Sequence, residues 1–177
     1  MLFWKSESPI LRMLNGFLNS HKQTLQFMKS IFEKVVSDEF ISRIENLKAE
    51  SLPVWGQMNI AQMLAHCLVT YELIYEDKHP APSGFVKFLL KTFIKGFVVG
   101  DKPYKKNGRT APLFLVSNKR DFLDEKKHLI DFIAKTQCLG AQYFDGKESH
   151  SFGELTVAEW NNLFSKHLDH NLTQFGV

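Results

Sequence analysis

Cysteine is nearly absent: Cys67 and Cys138 are the only two in 177 residues. Two thiols cannot build a disulfide framework, and they suit a reducing compartment. Long apolar runs are missing as well, since no stretch approaches the roughly 20 uninterrupted apolar residues of a membrane span. The N-terminal MLFWKSESPILRMLNGFLNSHK is apolar in flavour but broken by Lys5, Glu7, Arg12 and Asn15, and no small-residue cleavage site follows. It therefore reads as neither a span nor a signal peptide, and a cytoplasmic location is expected. An excess of one charge sign is lacking too, because a formal net charge of +3 leaves no footprint for nucleic acid. Six prolines and ten glycines in a chain that is 44% hydrophobic exclude collagen-like, low-complexity and disordered classes. The phosphate-cradling G-x-x-x-x-G-K-[ST], the dinucleotide G-x-G-x-x-G, H-E-x-x-H, C-x-x-C and G-x-S-x-G do not occur. Against these gaps stand seven histidines. A metal in this chain would have imidazole rather than thiolate ligands.

Helical spacing dominates the rest. Residues 1–27 lack sustained periodicity and form an N-terminal extension, either an extra helix or a gene-model artefact ahead of a true start at Met28. The domain proper is 28–177. Apolar residues from Ile31 to Leu47 predict a first helix, with a candidate break near Ser37 and Asp38. Asn59, three residues before Gln62, predicts a capped start for a second helix that stops before Pro80. After the linker HPAPSG, FVKFLLKTFIKGFVV carries Lys87, Lys91 and Lys95 in one i,i+4 stripe among Phe85, Phe88, Phe93 and Phe97. This is a short amphipathic helix. A membrane-surface role is one reading of it, and a bundle-covering helix with a solvated lysine face is the reading adopted. GDKPYKKNGRTAP reads as an extended basic loop. A further helix is expected over 118–137, ending at Gly140, and then a loop over 140–155. The Thr156–Glu159 capping box opens the last helix. No segment alternates convincingly with period two, so the fold class is all-α: a helical bundle of four principal helices and a subsidiary one.

Three histidines sit where chemistry is possible. His66 lies in MLAHCLVT on the second helix, and His167 and His170 lie in KHLDH on the last, about 60° apart around its axis. Facing helices of a bundle supply metal ligands from distant parts of a chain, and three imidazoles leave a position open for water or substrate. The alternative for each is a hydrogen-bonded core or surface histidine. Cys67 projects about 100° from His66 and reads as a buried apolar thiol. His21, His79, His128 and His150 show no partner pattern. Trp55 and Trp160 read as core anchors. Lys102, Lys105, Lys106 and Arg109 are candidates to attract an anionic substrate, with plain solvation as the alternative, and Trp160 is a second candidate for substrate contact.

PVWGQMNIAQMLAHC at 53–67, RTAPLFLVSNKRDFLDEKKHLIDFI at 109–133 and FGELTVAEWNNLFSKHLDHNLTQFG at 152–176 together resemble an uncharacterised bacterial family within the DinB-like superfamily. The resemblance covers Met28 to Val177. It implies an up-down-down-up four-helix bundle, often a homodimer, with a divalent metal of Zn or Ni type held by one histidine of the second helix and two of the last at H-x-x-x-H spacing. His66 and His167 match the first two positions. The third falls on Asn171, whose neutral carbonyl oxygen is a weak ligand beside imidazole, with His170 one place earlier as a substitute. The resemblance further implies a metal-dependent transferase that takes a low-molecular-weight thiol and an electrophile, the metal holding the thiol as thiolate. The alternative is a non-enzymatic bundle whose metal site has decayed at Asn171 and which serves as a binding or oligomerisation module.

Overall fold

The computed structural model describes residues 30–177. The N-terminal extension, the alternative start at Met28 and His21 lie outside the described residues.

Local signals set where each helix begins. α1 (Lys34–Glu45) buries Val36, Phe40 and Ile44. The break expected near Ser37 and Asp38 does not occur. Ser37 Oγ donates to the Lys34 carbonyl at 3.0 Å, and Lys34 pairs with Asp38 one turn on, so both polar side chains brace the turn they occupy. α2 (Ile60–Tyr75) starts with the expected capping box: Asn59 Oδ1 accepts from Gln62 N at 2.9 Å, and Gln62 Oε1 accepts from Asn59 N at 3.0 Å. Every residue from Ile60 to Tyr71 except Gln62 is buried. A helix apolar on all sides has to be the central one.

Three stretches then follow without interruption and are together α3: Gly84–Leu89, a π-helical Leu90–Ile94, and Lys95–Val99. Thr92 Oγ1 donates to the Phe88 carbonyl at 2.9 Å, and such back-bonding by a hydroxyl loosens the local helix. The basic loop contains a single 3-10 turn, Pro112–Phe114. α4 (Phe122–Phe144) is capped by Asp121, whose carboxylate accepts from Leu123 N and Asp124 N. At Gly140 the backbone turns left-handed (φ 72°), as the predicted stop requires. One more turn follows where a loop was expected, and it carries Phe144 into the core. The remainder of that stretch holds a small antiparallel hairpin, β1 (Glu148–Ser149) with β2 (Gly153–Glu154). α5 (Val157–Gln174) begins at the Thr156–Glu159 capping box.

Side-chain contacts fix the helix directions. α1 runs with α5, since Ile31 N meets Asn161 Oδ1 at 2.8 Å and Arg43 Nη1 meets Asp169 Oδ1 at 2.9 Å. It runs against α4: Phe32 stacks on Phe144, while Lys126 Nζ reaches the carbonyls of Glu45 and Leu47. α2 runs with α4, because Tyr71 stacks on Phe132 and Tyr75 Oη bonds Thr136 Oγ1 at 2.7 Å. It runs against α5, pairing His66 with His167 and Tyr71 with Phe164. The bundle is up-down-down-up, as the resemblance implies. The long 76–121 connection lets α2 and α4 run the same way. Phe164 is the hub of the core, in ring contact with Phe32, Tyr71, Phe144 and Trp160. No helix among the described residues is long and apolar enough to cross a membrane.

Candidate functional site

Where α2 and α5 face each other, the sequence leaves two imidazoles in contact. His66 Nε2 lies 2.8 Å from His167 Nε2, and the ring centroids are 4.8 Å apart. The outer nitrogens are also engaged: His66 Nδ1 with the Phe114 carbonyl at 2.9 Å, and His167 Nδ1 with Thr70 Oγ1 at 3.0 Å. The proton positions follow from this chain of bonds. A carbonyl only accepts, so His66 Nδ1 carries hydrogen and, in the neutral ring, its Nε2 is bare. His167 Nε2–H then donates to that nitrogen, and Thr70 donates its hydroxyl proton to His167 Nδ1. Both rings are neutral in this arrangement.

Burial keeps them so. His66 is held below the ordinary histidine range, first by desolvation and further by nearby His170, with the Phe114 bond opposing. His167 is held well below it, by desolvation first and then by His66 and His170. The Phe114 ring stands edge-on to both imidazoles, 5.5 and 5.7 Å away.

The other two candidate ligands go elsewhere. The His170 ring packs against Trp55 and Tyr104, with centroids 6.0 and 5.7 Å apart. Its pKa is lowered by burial and by Lys106, against the pull of Asp169. Asn171 is buried, and its Nδ2 donates to the His167 carbonyl at 2.8 Å, one turn back on the same helix. The structure thus brings His66 and His167 together and leaves His170 and Asn171 off that point. Among the described residues no three His, Cys, Asp or Glu side chains are placed to hold a metal ion. The donor set does not fit the three-ligand metal centre that the spacing and the resemblance imply.

The remaining candidates sort cleanly. Cys67 is the expected buried thiol, touching Met63 Sδ at 3.7 Å, and burial pushes its pKa up. Trp160 is buried against Phe144 and Phe164, so it is a core anchor and not a substrate contact. Trp55, expected in the core, is instead half-buried beside His170, with Lys106 Nζ 4.2 Å above its ring. Gln174 Nε2 donates to the Trp55 carbonyl and Val54 N to the Gln174 carbonyl, which clasps this loop to the end of α5. Lys106 is thus occupied on Trp55, while Lys102, Lys105 and Arg109 are exposed. His79 bonds Glu72 at 2.8 Å, His150 bonds Ser151 and the Pro80 carbonyl, and His128 is exposed.

Four contributors escaped the sequence reading. Thr70 had a signal, since it lies one turn beyond His66 on the same face. Phe114 and Tyr104 had none, because they arrive from an irregular loop. Lys166, next to His167, donates to the carbonyls of Phe97, Gly100 and Lys102. Burial draws its ammonium down to about 8, yet those three acceptors mark it as a strap from α5 to the end of α3.

Comparison of the chain with protein-family models, with curated proteins and with solved structures gives no match.

Proposed function

We propose that this chain is a non-enzymatic bundle of DinB-like type, acting as a binding or oligomerisation module, in which a neutral histidine pair stands where the superfamily it resembles holds a divalent metal. One observation carries this reading: the Nε2–Nε2 contact of 2.8 Å between His66 and His167, with each outer nitrogen also hydrogen-bonded. A metal needs the lone pairs of both Nε2 atoms, and in the tautomer that satisfies all four ring nitrogens one of the two Nε2 atoms carries the hydrogen of their contact. The residue at the third ligand position is Asn171, whose Nδ2 donates to the His167 carbonyl and whose neutral carbonyl oxygen is a weak ligand beside imidazole. The buried pair therefore reads as a satisfied polar contact that registers α2 against α5.

The competing reading, a metal-dependent thiol transferase, is favoured by a single feature. Thr70 can accept as well as donate, so His167 could move its proton to Nδ1 and present a bare Nε2 beside that of His66.

Metal analysis of the untagged full chain separates the two. The expected result is no stoichiometric metal and an unchanged Tm with excess Zn²⁺ or Ni²⁺, whereas Asn171→His, by adding an imidazole, gains a metal-dependent rise in Tm. Stoichiometric metal in the natural chain, lost in His167→Ala, overturns the proposal.

A further inference from the structure

Two of the three α3 lysines do not face solvent as expected. Lys87 Nζ pairs with Glu148 of the hairpin, and Lys95 Nζ pairs with Glu159 of α5 at 2.8 Å while also reaching the Glu154 carbonyl. Asn162 Nδ2 donates to the Val99 carbonyl at 3.0 Å and Lys166 holds that of Phe97, which docks the C-terminal end of the helix. With the helix held from that side, its aromatic rings stand outside. Phe85, Phe88, Phe93 and Phe97 are 72, 61, 71 and 59% exposed, and Val86, Leu89 and Ile94 are exposed among them. Tyr104 from the basic loop stacks on Phe97 with centroids 5.5 Å apart, and its Oη donates to the Val98 carbonyl at 2.9 Å.

We propose that the outward face of α3, together with the basic loop that follows it, docks on a membrane surface with anionic headgroups. Charge selects that partner. Residues 84–109 hold seven of the chain's 22 Lys and Arg and one of its 19 Asp and Glu, so this stretch carries +6 and the rest of the chain −3. Glu148 and Glu159 offset Lys87 and Lys95, and Lys106 lies over Trp55. Lys91, Lys102, Lys105 and Arg109 remain exposed and form no ion pair among the described residues. The stacking of Tyr104 on Phe97 folds the loop against the end of α3. Lys102 and Lys105, each within two residues of Tyr104, therefore border the rings. Apolar rings flanked by free cations are what an interfacial helix presents to anionic lipid: the rings enter to about 5–10 Å and the cations meet the headgroups. The size of the face agrees. Four phenylalanines of about 150–250 Å² each, roughly two-thirds exposed, supply on the order of 500 Å² before the aliphatic side chains are added, at the upper end of the largest patch on a typical monomer. A second copy would set like charge against like, and a protein partner would have to offer a groove for the convex face of a helix. A lipid surface needs no matching groove. The proposal stands on residues 84–109 and holds whichever way the metal measurement falls.

Flotation of the full chain with vesicles of phosphatidylcholine and phosphatidylserine in equal parts tests it. The chain is expected to float with these vesicles and not with phosphatidylcholine alone, and the bound fraction falls as salt screens the cations. Phe88→Ser/Phe93→Ser lowers the partition constant more than tenfold, because two rings are no longer buried in lipid. Lys102→Glu/Lys105→Glu also lowers it more than tenfold, since each lysine near an anionic surface is worth about fivefold. Leu123→Ser, at an exposed leucine of α4, leaves binding unchanged. Phe85→Ser, with a loss of about tenfold, gives the same answer should the phenylalanine pair fold poorly by circular dichroism. No flotation with the anionic vesicles overturns the proposal, and so does equal flotation with phosphatidylcholine alone. Flotation that survives the phenylalanine and lysine variants overturns it as well. A chain that does not float but self-associates through these rings in sedimentation velocity overturns it in favour of a protein surface.

Discussion

Around His66 and His167, polar atoms sit among apolar neighbours and every ring nitrogen has a partner. Along α3 the arrangement is reversed: apolar rings stand in solvent, and the lysines touch the body. Hydropathy alone would have exchanged the two. Inside, a closed set of hydrogen bonds makes a polar pair tolerable, because an unpaired buried group is what destabilises. Outside, ion pairs at a partly wet surface contribute little individually, about 0–1 kcal/mol each. α3 is therefore held by several weak tethers, and of its four exposed phenylalanines Phe97 stacks on Tyr104 with centroids 5.5 Å apart.

The contrast is broken most directly by truncating one ring in each region. Phe164→Ala, at the hub of the core, is expected to lower unfolding free energy by about 3–5 kcal/mol. Phe88→Ala, read in dilute chain by the same urea titration, stays within about 0.5 kcal/mol of the natural protein. Similar losses at both positions would erase the distinction.

A smaller effect is expected from pH. His66 and His167 have folded pKa values below that of an unfolded histidine, about 6.5. Above that pH both states are neutral there and stability is flat. Below it the unfolded chain takes up protons that the folded pair refuses, so stability falls as the solution is acidified, by at most about 1.4 kcal/mol per imidazole for each pH unit. Melting curves between pH 5 and 8 would show this, and His167→Gln should flatten the acid limb. An acid limb unchanged in that variant would remove the pair from the account.

The smallest expected change is in Lys95→Met, which removes the ion pair with Glu159. Global stability moves by less than about 1 kcal/mol, yet amide exchange in residues 84–99 quickens while that of α2 stays as it was. Equal acceleration in both helices would mean that α3 is not a separately tethered element.

How much of this the sequence disclosed depends on the range of the interaction concerned. The capping boxes at Asn59–Gln62 and Thr156–Glu159, and the stop at Gly140, are local chemistry and were legible. The meeting of His66 with His167 across 101 positions was legible because both lie on strongly patterned helices. The packing of His170 against Trp55 and Tyr104 is not legible from helical angle, because those rings are supplied by two separate loops. Sequence spacing makes the lysine stripe look solvated because the partners of Lys87 and Lys95, Glu148 and Glu159, lie more than fifty residues downstream, while Lys91 between them is indeed exposed. Periodicity reveals that a helix has two faces. Which face turns inward depends on what waits there.

The π-helical stretch Leu90–Ile94 bears on that choice through winding. Four residues overshoot one turn of an α-helix, so a stripe at i,i+4 creeps steadily around the axis. The wider π turn, closed by an i to i+5 bond, takes more than four residues, and the same step falls short. The lag between Lys91 and Lys95 opposes the lead between Lys87 and Lys91. One slack turn thus acts as a phase correction, letting a single row of lysines reach the hairpin at one end and α5 at the other.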